Sequence, residues 1–110
     1  MVSPKLVAAS SVPMILSILS HGESYGYAIL QRVKALSGGE LEWTEGMLYP
    51  VLHRLERERH IRAHWGKSPE GRRRKYYALA QRGSDALARE RSEWEAVDAT
   101  LRMLWGGGRA

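Results

Sequence analysis

At 110 residues the chain has room for one small domain and one further element, because chains this short rarely support two separate cores. An apolar share of 44% excludes a disordered chain, and the lack of cysteine excludes a disulfide scaffold or a thiolate metal site and fits a reducing cytoplasm. The net charge of +5 suits a polyanionic partner. Its distribution is sharper: from His53 to Lys75 nine Lys and Arg face three Glu, an excess of six, more than the whole chain carries.

In chain order, Leu6, Val7, Val12, Met14, Ile15, Ile18 and Leu19 give a first helix its apolar surface. Pro13 allows two readings, a helix starting near Ser11 as its cap or a longer helix that kinks at the proline. The apolar run from Val12 to Leu19 is too short to span a bilayer and no small-residue cleavage site follows, so it reads as a buried helix with no membrane partner. His21-Gly22 ends it. Ser24 is expected to cap a second helix, in which Tyr25, Ile29, Val33 and Leu36 recur at helical spacing until Gly38-Gly39 stops it.

Thr44 is the expected cap of a third helix with an apolar stripe of Leu48, Val51, Leu52 and Leu55. Pro50 predicts an irregular first turn. Tyr49, His53 and Arg54 are placed opposite the stripe, with Arg57 one turn on. Two strands, Ile61 to Lys67 and Arg72 to Leu79, flank a tight turn at Ser68-Pro69-Glu70-Gly71, with Tyr77 and Leu79 inward and Arg74 and Tyr76 on the other face. From Arg82 to Leu104 the pattern is again helical, and Leu87, Trp94, Val97, Leu101 and Leu104 form a heptad-like seam. Such a helix has more apolar face than a domain this small can cover, which predicts packing against a second copy. Residues 106–110 read as a flexible tail.

Three helices, a two-stranded wing and a long arm form a mainly α winged helix-turn-helix plan: a DNA-binding domain over 1–79 and a C-terminal dimerisation helix over 80–105. Tyr25-Gly26-Tyr27, Gly46-Met47-Leu48-Tyr49-Pro50 with Leu52, Arg54, Leu55 and Glu56, and Arg74-Lys75-Tyr76-Tyr77 closely resemble the PadR family of transcriptional regulators, in its short subclass with a single C-terminal helix. The resemblance spans about residues 12 to 105. Three positions depart from the family pattern. Met47 stands where Thr or Ser is usual and cannot donate to a phosphate. His60 replaces a glycine at the end of the recognition helix, which predicts a less sharply turned end. Ala80 replaces a Thr cap before the long helix, which costs about 1 kcal/mol of capping.

The expected partner is double-stranded DNA, held by Thr44, Tyr49, His53, Arg54, Arg57, Lys67, Arg72, Arg73 and Arg74. Arg54 has the alternative of an intrahelical pair with Glu58; Lys75 and Tyr77 read as structural. A homodimer with Leu87, Trp94, Val97, Leu101 and Leu104 at its interface would bind an inverted-repeat operator, and repression is the expected sign. The resemblance also implies a cavity at that interface for a small hydrophobic or aromatic effector, with Trp94, Val97 and Asp98 as candidates; Trp94 reads equally as dimer core. Trp43, Trp65 and Trp105 receive no role.

An enzyme is not expected, since no phosphate loop or nucleophile–base arrangement stands out, and no cofactor is implied. Glu56, His60 and His64 have a spacing that one helix could turn toward zinc, but the strand pattern from Ile61 breaks it, so no metal is expected. The rivals are a ligand-binding or protein-interaction dimer that no longer reads DNA, for which Met47 argues, and a single-strand RNA binder using Trp65 and Tyr76.

Overall fold

The computed structural model describes residues 1–106, in the order α1 (Pro4–Ser20), α2 (Gly26–Leu36), α3 (Glu45–Arg57), β1 (Ile61–Lys67), β2 (Arg73–Leu79) and α4 (Gln81–Leu104). It is a winged helix with a long C-terminal helix. Of the expected tail, residues 107–110 lie outside the described residues.

Of the two readings of Pro13, the longer helix is the one observed, and it is continuous at the proline. The helix starts at Pro4 in its first position, with the Ser3 side chain accepting from Leu6 N–H at 3.3 Å, and runs through Pro13 to Ser20. The Ser10 and Ser11 hydroxyls, buried in this helix, donate back to the carbonyls of Leu6 and Ala8 at 2.7 and 3.0 Å. Ile15, Leu16, Ile18 and Leu19 then enter a core shared with Ile29 and Val33 of α2, Leu48, Leu52 and Leu55 of α3, and Ile61 and Tyr77 of the wing.

Ser24 is not the cap of α2. Tyr25 holds that position with no side-chain bond, because the Ser24 backbone pairs with Tyr77 instead: Ser24 N–H donates to Tyr77 O at 3.0 Å and Tyr77 N–H to Ser24 O at 2.7 Å. The connection between α1 and α2 thus adds one residue of ladder to the wing. Leu36, expected on the buried stripe, is 75% exposed. Thr44 caps α3 as expected, its Oγ1 accepting from Met47 N–H at 3.2 Å. The helix is continuous past Pro50, so the irregular turn is absent.

The end of α3 is sharp without a glycine. Arg59 takes the left-handed conformation at φ 62°, while His60 N–H bonds Leu55 O at 2.9 Å and Arg59 N–H bonds Glu56 O at 3.0 Å. The residue under conformational demand is therefore Arg59, one position before the expected site. β1 and β2 pair antiparallel, Ile61 opposite Leu79 and Lys67 opposite Arg73. Ala80 then caps α4 with its backbone alone, and its N–H bonds His60 O at 3.0 Å. Gly83 sits against that same carbonyl, which a Cβ there would overlap.

Arg59→Gly is expected to stabilise the fold by about 1 kcal/mol by relieving the left-handed side chain. Gly83→Ala is expected to destabilise it by about 1–3 kcal/mol, because the obstacle is backbone. Urea unfolding of both variants at one fixed protein concentration measures each sign.

Candidate nucleic-acid interface

The outward row of α3 is Gly46, Pro50, His53 and Arg57, all exposed and opposite the buried Leu48, Leu52 and Leu55. Tyr49 is not on that row. It is half-buried toward the wing, where Gly26 leaves room for its hydroxyl; a Cβ on Gly26 would overlap it. Arg54 is exposed but swung the other way, since each residue turns a helix by about 100°. It lines a hollow toward α4 with Glu58, His60, Arg89 and Glu93. Arg54 and Glu58 do not pair; Glu58 reaches His60 Nδ1 at 3.5 Å. Met47 lies half-buried against the core, where its thioether has apolar neighbours.

A cleft opens between α3 and the wing, lined by Tyr25, Tyr27, Tyr49, His53, Trp65, Arg72, Arg73, Arg74 and Lys75. Strand alternation sorts its cations. Arg73, Lys75 and Tyr77 share the face turned to α3 with Trp65 and Ala63, while Arg74 and Tyr76 share the opposite face with His64. Lys75 is tied to Glu56 at 3.4 Å, and Tyr77 is 1% exposed, its phenol pushed above the usual 10.0 first by burial and then by Glu56 and Tyr49. Both act structurally.

Arg74, expected at a phosphate, is engaged within the chain itself. Its guanidinium lies 3.5 Å from the Tyr25 ring centroid and donates to the Tyr76 hydroxyl at 3.1 and 2.8 Å. His64 stacks on Tyr76 at 5.6 Å and bonds Glu23 through Nε2 at 2.7 Å. These side chains fasten the outer face of the wing to the connection between α1 and α2. Lys67, Arg72 and Arg73 remain exposed at the tip of the hairpin, and among the described residues neither they nor Arg54 and Arg57 make an ion pair. Glu56, His60 and His64 do not converge, and among the described residues no cluster of three metal-ligating side chains forms.

A second hollow of about 760 Å³ lies on the far side, between α1, the end of α2 and α4. Leu6, Met14, Leu36, Leu87 and Trp94 make its walls, with Asp98 at the rim and Val97 outside the lining. Asp98 is paired with Arg102 at 2.8 Å and the Trp94 indole N–H donates to Glu90 at 3.3 Å. Leu87 packs on the core of its own chain, whereas Val97, Leu101 and Leu104 are exposed on the projecting half of α4. No helix among the described residues is long and apolar enough to cross a membrane.

A recognition helix, a basic wing and a projecting helical arm define a winged helix-turn-helix regulator. The chain belongs to the transcriptional regulator PadR-like family, whose model matches residues 15–89; members of this family are transcriptional regulators, not enzymes. It is similar to a transcriptional regulator from Clostridium thermocellum, at 26% identity and a TM-score of 0.84, covering 94% of this chain and 97% of that one. A PadR-like transcriptional regulator from Bacillus cereus is 28% identical with a TM-score of 0.82, covering 94% and 99%. The transcriptional regulator YqjI of Escherichia coli is 28% identical over 89 residues, 81% of this chain but 41% of that longer protein.

Tyr27 and Trp65 were not among the expected double-stranded DNA contacts, although the structure exposes both in the cleft. The signal was present for Trp65, an indole at the outer end of a strand whose partner strand carries cations.

The hydrogen bond that the His64 imidazole donates to the Glu23 carboxylate raises the His64 pKa above its usual 6.5, against an opposing effect of desolvation. The stabilisation from this pair is therefore complete below about pH 6.5 and is lost as pH rises through the raised value. Glu23→Gln is expected to return the His64 titration toward 6.5 and to flatten that part of the stability profile. An NMR titration of the imidazole checks the first and urea unfolding across pH the second.

Proposed function

We propose that this regulator is a homodimer that binds double-stranded DNA sequence-specifically at an inverted repeat and represses the gene it controls. The observation that carries this reading is a set of exposed cations that make no ion pair among the described residues: Arg57 on the outward row of α3, and Lys67, Arg72 and Arg73 on the wing, of which Arg72 and Arg73 line the cleft. With α3 in the major groove, His53 and Arg57 face base edges, Arg57 being able to pair bidentately with guanine. The wing cations meet phosphates and give the salt-dependent share of affinity. Thr44 stands at the start of α3, and Tyr49 reaches the backbone from the cleft wall. Arg54 serves as a flanking contact, and Arg74 orients the wing.

The dimer reading is supported by the apolar arm. Val97, Leu101, Leu104 and Trp105 lie exposed along one helix, and the groove of Leu6, Leu36 and Trp94 offers an apolar seat for a second copy. The division into a reading domain over 1–79 and an arm over 80–105 follows. A small aromatic or apolar effector fits the same groove beside Trp94. Because Arg102 neutralises Asp98, a cationic group on that effector has little to gain there. The reaction compartment of such a regulator is the cytoplasm.

Fluorescence anisotropy on DNA from the chain's own upstream region, against scrambled DNA and across a salt series, tests the reading. Selective binding that weakens steeply with salt is the expected result; weak, equal binding to both probes favours a ligand-binding or protein-interaction dimer. Arg57→Ala is expected to cost about 1–3 kcal/mol on the selected site and to relax its sequence preference. Leu101→Glu is expected to convert the dimer to monomer in analytical ultracentrifugation and to abolish selective binding.

A further inference from the structure

Trp65 has no structural reason to be where it is. It lies on the sheet face turned to α3, yet 57% of it is exposed. The core on that face is already closed by Ala63 and the buried Tyr77, and Trp65 stands beyond them, directly opposite Lys75. What holds the indole is a cation: the Arg73 guanidinium lies 4.6 Å from the ring centroid. Ring and guanidinium together line the cleft that also contains Tyr49, His53 and Arg72.

We infer that Trp65 is a direct DNA-contacting residue, packing its indole against the deoxyribose backbone of the duplex strand that lies along the wing. This rests on the DNA-binding reading above and adds a contact of different chemistry. An exposed indole in a basic cleft can remove apolar sugar surface from water, and the adjoining guanidinium is then held ready for the neighbouring phosphate. The indole's lone N–H donor makes it a poor reader of base edges, so it adds affinity with little sequence preference. The two side chains therefore divide the wing's grip: Arg73 supplies a counterion-releasing contact and Trp65 an apolar one that salt does not weaken.

That division is measurable. The probe is a duplex selected from a random pool by the wild-type protein, titrated by anisotropy across a salt series. Trp65→Ala is expected to weaken binding about tenfold at every salt concentration and leave the slope of log K against log salt unchanged. Arg73→Ala removes one phosphate contact from each protomer of the dimer and is expected to make the slope shallower by about 1.8. Trp65→Tyr keeps a flat ring and should recover most of the affinity. The indole should also report directly: fluorescence quenching on DNA binding should be present in the wild type and largely lost in Trp65→Tyr, a comparison that holds even if the alanine variant folds poorly.

Wild-type-like binding by Trp65→Ala, with quenching unchanged in Trp65→Tyr, overturns the contact while leaving the DNA-binding reading intact. A slope that flattens in Trp65→Ala as it does in Arg73→Ala overturns it too, since the indole would then only be positioning the arginine. Absence of selective, salt-dependent binding by the wild type overturns both.

Discussion

The orientation of the wing depends on two hydrogen bonds, those between the backbones of Ser24 and Tyr77. A two-stranded hairpin is marginal by itself in water, and this one is made rigid by being laddered to the connection between α1 and α2 and by burying the Tyr77 ring. The same pairing fixes the parity of β2. With Tyr77 inward, Arg73 and Lys75 must also face α3, and Arg74 and Tyr76 must face away. A slip of one residue would exchange the two sets and turn Arg74 and Tyr76 toward α3. The stack of Tyr25, Arg74, Tyr76 and His64 on the outer face opposes that slip from the other side.

Four consecutive cations, Arg72 to Lys75, consequently do three different things. Lys75 is drawn to Glu56 of α3 and Arg74 to two tyrosines, while Arg72 and Arg73 remain at the hairpin tip. The tip keeps its shape through Ser68, whose N–H donates to Arg72 O at 2.7 Å and whose hydroxyl accepts from Arg72 N–H at 3.1 Å, with Gly71 at φ 85°. Net charge over the segment overstates what a polyanion would meet, because part of it holds the wing in place.

The order of elements was legible in the sequence because it rests on local periodicity: the Leu48, Leu52, Leu55 stripe, the Thr44 cap and the turn at Ser68 to Gly71 all fall where pattern and turn chemistry put them. What escaped was decided by partners distant in sequence. Ser24 has a good capping side chain, but its backbone is taken by Tyr77, 53 positions later. Arg74 looks like its neighbours until Tyr25 is brought over it. The early start of α1 was in fact written locally, in Ser3 followed by Pro4, and the interior proline drew attention away from it. The facing of Arg54 was also a matter of arithmetic, since a residue next to His53 cannot share its row. The family resemblance carried the class of protein further than any of these local signals could.

The arm and the reading helix are joined more tightly than their separate roles suggest. His60 closes the last turn of α3 through its N–H to Leu55 O, and its carbonyl accepts from Ala80 N–H at 3.0 Å just before α4 begins. Gly83, in the first turn of α4, lies on that carbonyl with no room for a Cβ. One residue, His60, thus links the end of one helix and the start of the other through its own N–H and carbonyl. A 24-residue helix of about 36 Å acts as a lever about such a contact. Any change in the angle of α4 must either open the Gly83–His60 contact or carry the end of α3 with it.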